Sequence, residues 1–296
     1  MSFIRYLMKS DRIVAFILGT LLVMCGCEGN IDQKKTLEMT TWSVAAIDPL
    51  TGDVGVASAS CVPSFADALA ALVPGKGAGA TQASFDIDNR NVVYNAIQQG
   101  LTAEEVIARV TDPSSDPDTD RRQYGVVTLN DGVVHTAGFT APSREGTTAG
   151  TEGAERWAGI MEDAEMGVTV QGNTLVNEAV VADGLEAFQW EDPTGFNELS
   201  DRLMRALEAG SVAGGDVRCN DETTRQTAAM AFIVVARAGD EPYATEEIGM
   251  SDQGTPAAPW LAISVRGERG GDNPLLELRL RYDQWRRESG NESSQE

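Results

Sequence analysis

The chain has 296 residues, 42% of them hydrophobic and 23% charged, enough to build a globular body with a core. Its 45 acidic residues against 23 basic ones give a formal charge of −22. Such a surface repels phosphate backbones, which argues against a nucleic-acid partner, and sets it against anionic lipid headgroups.

Residues 1–27 read as a bacterial signal peptide. Arg5, Lys9 and Arg12 supply a basic start, and Ile13–Met24 is an apolar run of twelve residues. That is short of the roughly 20 residues a membrane span needs. The run closes on Met24-Cys25-Gly26-Cys27, where a small residue precedes a cysteine in the manner of a lipoprotein cleavage site. Cys27 is therefore the expected lipidation position. The expected location is the cell envelope, periplasmic or surface-exposed, with the membrane as a partner through the anchor. Ordinary cleavage nearby and anchoring by an uncleaved helix stay open. Residues 28–39 are polar and read as a tether. Cys61 and Cys219 then remain in an oxidising compartment, far apart and without CxxC spacing. They are a disulfide candidate rather than a zinc site, with two separate buried thiols as the alternative.

The body begins at Thr40. Thr41–Ile47 and Val54–Ser60 are strand candidates around the turn 48–53, whose Pro49 and Gly52 favour reversal. Ala66–Val73 reads as a short helix and Gly77–Ser84 as a strand of small residues. Asn91–Gln99 is helical. Thr102 with Glu105 three residues on makes a capping box for a helix to Val110. Residues 112–122 are loop. Tyr124–Leu129 and Val133–Phe139 flank Asn130-Asp131-Gly132, a strong hairpin signal. Residues 140–153 read as loop and Met166–Gln171 as a strand. Leu175–Phe188 and Phe196–Ala209 read as helices, the second with Leu199, Leu203 and Leu207 on one stripe. Thr227–Ala236 and Leu261–Arg266 are strands. Pro274–Arg287 is an amphipathic helix, and a polar tail follows over 288–296. Strands in antiparallel blocks, interrupted by helices, predict an α+β fold: two antiparallel sheets face to face with helices outside.

Several chemistries are absent. The single histidine, His135, leaves no multi-histidine metal site, and no metal or cofactor is expected. There is no GxSxG elbow, and Gly75, Gly77 and Gly79 do not spell a phosphate loop. A design that needs no histidine stays open: a Thr, Ser or Cys at a mature N-terminus, using its own α-amine as base.

The segments 41–60, Gly77–Gln82, Arg122-Gln123, Val170–Asn173, Ala213–Asp216 and Arg225–Ala229 resemble, in order and spacing, the family called domain of unknown function 1028. The likeness runs over residues 40–287. It implies the four-layer αββα fold of the N-terminal nucleophile aminohydrolases, and with it amide-bond hydrolysis of small or cell-wall-derived substrates. A non-catalytic envelope protein that kept the fold for ligand binding or for structure is the alternative. Three departures stand out. The usual His-Thr-Gly is His135-Thr-Ala-Gly138. The Arg-Gly-Arg-Gln run is stretched across Arg218–Gln226. Thr41, at the nucleophile's place, lies behind a leader and tether, so its amine is not free.

By this resemblance Thr41 is the candidate nucleophile, with Ser43 on the same strand face. Ser58 and Ser60 share a face and are candidate cleft residues. His135 lies mid-hairpin. Gln171 and Asn173 flank Gly172 with amides that can donate or accept. Asp216 follows two glycines, and Arg225 is a candidate to pair with it. The expected ligand is a small molecule or peptide-like compound, and a homo-oligomer is left open.

Overall fold

The computed structural model describes residues 37–39, 41–63, 66–142, 146–149, 155–220, 223–240 and 259–292. The leader, Cys27 and most of the tether lie outside them, as do residues 293–296 of the tail. In chain order the elements are β1 (Leu37–Met39), β2 (Thr41–Ile47), β3 (Val54–Ser60), a 3-10 turn (Ala66–Leu69), β4 (Ala70–Val73), β5 (Gly77–Phe85), α1 (Ile87–Gln98) and α2 (Ala103–Val110). After a second 3-10 turn (Thr119–Arg121) come β6 (Arg122–Asn130), β7 (Val133–Thr140), β8 (Gly146–Ala149), β9 (Glu155–Asp163) and β10 (Val168–Leu175). Helices α3 (Ala179–Gln189) and α4 (Leu199–Val212) precede β11 (Met230–Ala236), β12 (Leu261–Arg266) and α5 (Pro274–Glu292).

Two antiparallel sheets result. One runs β1-β5-β6-β7, with β4 beside β1 along the same edge of β5. The other runs β12-β11-β3-β2-β10-β9-β8. They lie face to face: β2 over β5 and β6, β10 over β6, and β9 over β7. Helices α1 and α2 cover the first sheet, α3 and α4 cover the second, and α5 packs on β11 and β12. The arrangement is a four-layer α+β sandwich. Strands β2, β3 and β11 are buried along their whole length, because both of their faces are covered. Alternation decides what each face meets. Trp42 turns toward α4, where its indole N–H donates to the Leu207 carbonyl at 3.2 Å. Thr41 and Ser43 turn toward the opposite sheet.

Local chemistry explains the best-read elements. The Thr102 hydroxyl accepts from the Glu105 N–H, and the Glu105 carboxylate accepts from the Thr102 N–H. Asp131 (φ 51°) and Gly132 (φ 78°) both take the left-handed conformation that a tight β6–β7 hairpin requires. Elsewhere the structure differs from the sequence reading. Residues 66–73 form a 3-10 turn and then β4, not a helix, because Ala70–Val73 finds an open edge of β5. The expected loop 140–153 contains β8, and β9 went unread. Strand β10 runs on to Leu175, so α3 starts four residues later than expected. Leu37–Met39, read as the tether's end, pairs with β5, and α5 extends to Glu292, into the expected tail.

Candidate functional site

The polar groups that face each other between the sheets form one chain of hydrogen bonds. Thr41, Ser43, Gln171 and Asn173 come from the second sheet, Gln82 and Gln123 from the first, and none is more than 1% exposed. The Gln171 amide donates to the Ser43 hydroxyl (2.7 Å), which donates to Gln82 Oε1 (2.7 Å). Gln82 Nε2 donates to Gln123 Oε1 (2.7 Å) and to the Thr41 carbonyl (3.3 Å). Asn173 Nδ2 donates to the same Gln123 Oε1 at 3.0 Å. Gln123 Nε2 in turn reaches Thr140 Oγ1 (3.0 Å), the Gly159 carbonyl (3.1 Å) and the Gly172 carbonyl (2.8 Å). Register makes this possible. Gln82 lies directly across from Gln123 in the first sheet, and Gln171 across from Ser43 in the second. The β2–β10 ladder ends at Trp42–Gly172, which leaves Asn173 at the Thr41 end of β10.

Three oxygens in this seam find no hydrogen-bond partner: Thr41 Oγ1, Gln171 Oε1 and Asn173 Oδ1. Buried polar atoms are nearly always paired with protein or water, so each marks a place for a further donor or a bound water. Every side chain of the seam is neutral, and hydroxyls and carboxamides are all it offers. The backbone beside it is bent: Ala83 (φ 71°) follows Gln82, and Thr174 (φ 58°) follows Asn173. Non-glycine residues at positive φ cost about 1–3 kcal/mol each and persist only where surrounding structure enforces them. Gly125 of β6 supplies the space for Gln171. A Cβ there would sit 2.0 Å from Gln171 Oε1 and 2.8 Å from Thr169 Oγ1. Gly125→Ala is expected to cost about 2 kcal/mol by overpacking, read as a lower urea midpoint; an unchanged midpoint would show that Gln171 moves aside freely.

The other candidates lie apart from the Thr41 hydroxyl or serve structure. Ser58 shares the inward face, but its hydroxyl is spent on the Trp42 carbonyl (3.0 Å). Ser60 Oγ accepts from the Val62 N–H. His135 stands on the helix-covered face of the first sheet, with Nδ1 3.6 Å from Glu104 of α2. Asp216 is fully buried and accepts from the Cys61 N–H (3.2 Å) and the Arg218 N–H (3.0 Å). Its cationic partner is Arg218, with Nη2 at 2.7 Å, rather than Arg225. Arg225 is exposed at φ 54°, and its carbonyl accepts from Asn273. Cys61 and Cys219 are joined as a disulfide, Cα atoms 5.6 Å apart. Gln82 and Gln123 are seam residues that their motifs alone do not mark as such. The available signal is a carboxamide within a strand, among the small residues of β5 for Gln82 and next to Tyr124-Gly125-Val126-Val127 of β6 for Gln123.

A second buried polar group lies under α1. Arg122 pairs with Asp116 (2.7 Å), and Asn89 bonds both Asp116 and the Tyr124 hydroxyl. Burial pushes the Asp116 carboxyl up, but bonds from Arg122, the Asp118 backbone and Asn89 more than offset this and hold it below the usual range. Burial raises the Tyr124 phenol. This group fastens a helix to its sheet and faces away from Thr41. Among the described residues no three His, Cys, Asp or Glu side chains are grouped to hold a metal, and no helix is long and apolar enough to cross a membrane.

Fold and seam together define a four-layer sandwich with a closed, neutral, amide-rich interior around a threonine. The model of the family of unknown function DUF1028 matches residues 41–258, and the chain belongs to that family. It is similar in fold to the crystal structure of protein SPO2555 from Silicibacter pomeroyi, of the same family, at 21% identity and a TM-score of 0.57, covering 83% of this chain and 88% of that one. No curated protein matches it.

Proposed function

We propose that the chain is exported as a lipid-anchored protein with the layout of an N-terminal nucleophile hydrolase, and that a second cleavage, before Thr41, detaches the body and makes Thr41 the nucleophile for amide-bond cleavage. The observation that carries this reading is the Thr41 hydroxyl, fully buried and without a hydrogen-bond partner, on a residue whose carbonyl accepts from the Gln82 carboxamide. In the reaction Oγ1 attacks an amide carbonyl, the α-amine takes its proton, and the leaving amine departs with a proton. Water then cleaves the ester. The negative oxygen formed in each half needs donors already in place; Asn173, whose amide gives one N–H to Gln123, has a second to offer, whereas both N–H groups of Gln82 are already given to Gln123 and the Thr41 carbonyl.

In the continuous chain the Thr41 nitrogen is an amide and cannot act as base. Met39 belongs to one sheet and Thr41 to the other, with Thr40 between them. Lipid attachment at Cys27 and an active Thr41 therefore exclude each other in one polypeptide. This continuity favours a second reading, a tethered protein that kept the fold for ligand binding. The intact mass and N-terminal sequence of the protein from its native host decide between them. A species beginning at Thr41, with amide hydrolysis abolished in Thr41→Ala, is the expected result for the hydrolase. A mature form that begins at Cys27 and hydrolyses nothing leaves the binding reading.

A further inference from the structure

One edge of β5 is filled by β6; the other is shared by two short strands. β4 pairs with Gly77–Ala80, and β1 pairs with Ala83–Phe85. Of these two, β1 alone belongs to the segment ahead of Thr41. We propose that, after cleavage before Thr41, the stretch Ala83–Phe85 takes up the substrate in place of β1. The substrate class is an extended peptide that runs in β1's direction and is cut at the amide following its bound segment. This rests on the reading of Thr41 as nucleophile and names the substrate that reading leaves open.

β1 runs antiparallel to β5 in a fixed register, Leu37–Phe85, Glu38–Ser84 and Met39–Ala83. One residue after Met39 the chain enters β2 at Thr41. A strand in this place therefore points its C-terminal end at Thr41. The edge and the seam also adjoin along β5 itself. Gln82 precedes Ala83, and its amide donates to the Thr41 carbonyl at 3.3 Å. While the chain is whole, the three β1 pairs form within one molecule. A cut before Thr41 makes β1 part of a separate molecule, and the effective concentration that a short covalent connection supplies is lost. Three residue pairs are too few to hold a strand without it. Ala83–Phe85 then presents unpaired backbone donors and acceptors, a template for another extended chain. Pairing along that row asks for N–H and C=O groups at peptide spacing, which selects a peptide over a simple amide. Thr41 Oγ1 forms an ester with the arriving carbonyl as its C–N bond breaks. The hydroxyl proton passes by way of the α-amine to the departing amine, and water releases the peptide acid.

The edge can be vacated without any cleavage. Leu37→Pro/Glu38→Pro in the full chain removes two consecutive N–H groups from β1, so one ladder donor is lost whichever way the strand alternates. The probe is the acetylated hexapeptide amide Lys-Thr-Leu-Glu-Met-Thr, the chain's own residues 35–40. In an NMR titration it is expected to shift the amide signals of Ala83–Phe85 and to bind the proline variant about tenfold tighter than the wild type, whose edge is occupied. The same peptide N-methylated at Leu and Glu should not bind. Leu37→Gly/Glu38→Gly, which loosens β1 without barring it, repeats the test if the prolines unfold the body. Equal binding to wild type and variant, no binding to the variant, or equal binding of the N-methylated peptide overturns the proposal. Turnover is read separately, on the species that begins at Thr41, with the p-nitroanilides of the hexapeptide and of acetyl-threonine. The hexapeptide is expected to have a kcat/KM about tenfold higher, because its bound segment orients the reacting carbonyl. Equal values overturn the proposal. Binding at Ala83–Phe85 with neither anilide cleaved sinks the nucleophile reading instead and keeps the edge as a peptide site.

Discussion

Replacing Cys61 and Cys219 together by serine is expected to lower the melting temperature of the oxidised protein by about 10 °C. The two residues are 158 positions apart, so the bridge closes most of the folded body into one loop. Restricting a loop of that length in the unfolded chain accounts for about 5 kcal/mol, and a domain of this size loses about 2–4 °C per kcal/mol. The bridge also fastens buried groups. Asp216 accepts the Cys61 N–H, Arg218 neutralises Asp216, and Arg269 donates to the Cys61 carbonyl at 3.0 Å. Without the bridge the end of β3 and the loop after α4 are joined by hydrogen bonds such as these and no longer by a covalent link. Scanning calorimetry of the double-serine variant, and of the wild type with and without a reductant, checks this. A shift below about 2 °C in both would show that the native contacts, not the crosslink, close the loop.

Gln123→Ala is expected to be the most damaging single substitution in the seam. The Gln123 side chain makes five contacts: three given by its amide nitrogen and two accepted by its oxygen. Its removal leaves the amides of Gln82 and Asn173 and two backbone carbonyls buried without that partner. A buried donor or acceptor left unsatisfied costs about 1–3 kcal/mol. Partial relaxation and entry of water bring the expected sum to about 4 kcal/mol, a cost that urea unfolding would register as a lower midpoint. Gln123→Glu should not rescue it, because a carboxylate keeps the acceptors, loses the NH2 and adds a buried charge. A cost under about 1 kcal/mol would mean that water already carries most of this network.

Much of the fold was legible because local rules and tertiary packing agree in its middle strands. Residues 41–60 alternate around a Pro-Gly turn, Asp131-Gly132 carries its own turn chemistry, and Thr102/Glu105 caps its own helix. The failures fall where packing overrides pattern. Ala70–Val73 is a short apolar run that fits helix or strand equally, and only the open edge of β5 decides. Strand β9 mixes Trp157, Gly159, Ile160 and Met161 with charged ends, so no alternation shows; its pairing with β10 supplies what its composition hides. For the site, the family resemblance pointed to Thr41, with Ser43, Gln171 and Asn173 added from their residue type and place beside it, and the structure brings these four together. Their counterparts Gln82 and Gln123 belong to the other sheet, and nothing in one strand says which strand it will face. Arg225 was the expected partner of Asp216, but Arg218 reaches it instead through a tight turn that linear spacing does not reveal.

The passage from β1 to β2 also has a mechanical meaning. Tension applied from the N-terminal side meets three residue pairs of an edge strand first, Leu37–Phe85, Glu38–Ser84 and Met39–Ala83, which can peel away one after another at low force. Behind them stands Thr41 on β2, a strand flanked by β3 on one side and β10 on the other, where a load acts in shear across two ladders at once. A drag on the tether would therefore be absorbed by release of β1 alone, bringing the pull to the peptide bond before Thr41 while the sandwich behind it stays closed.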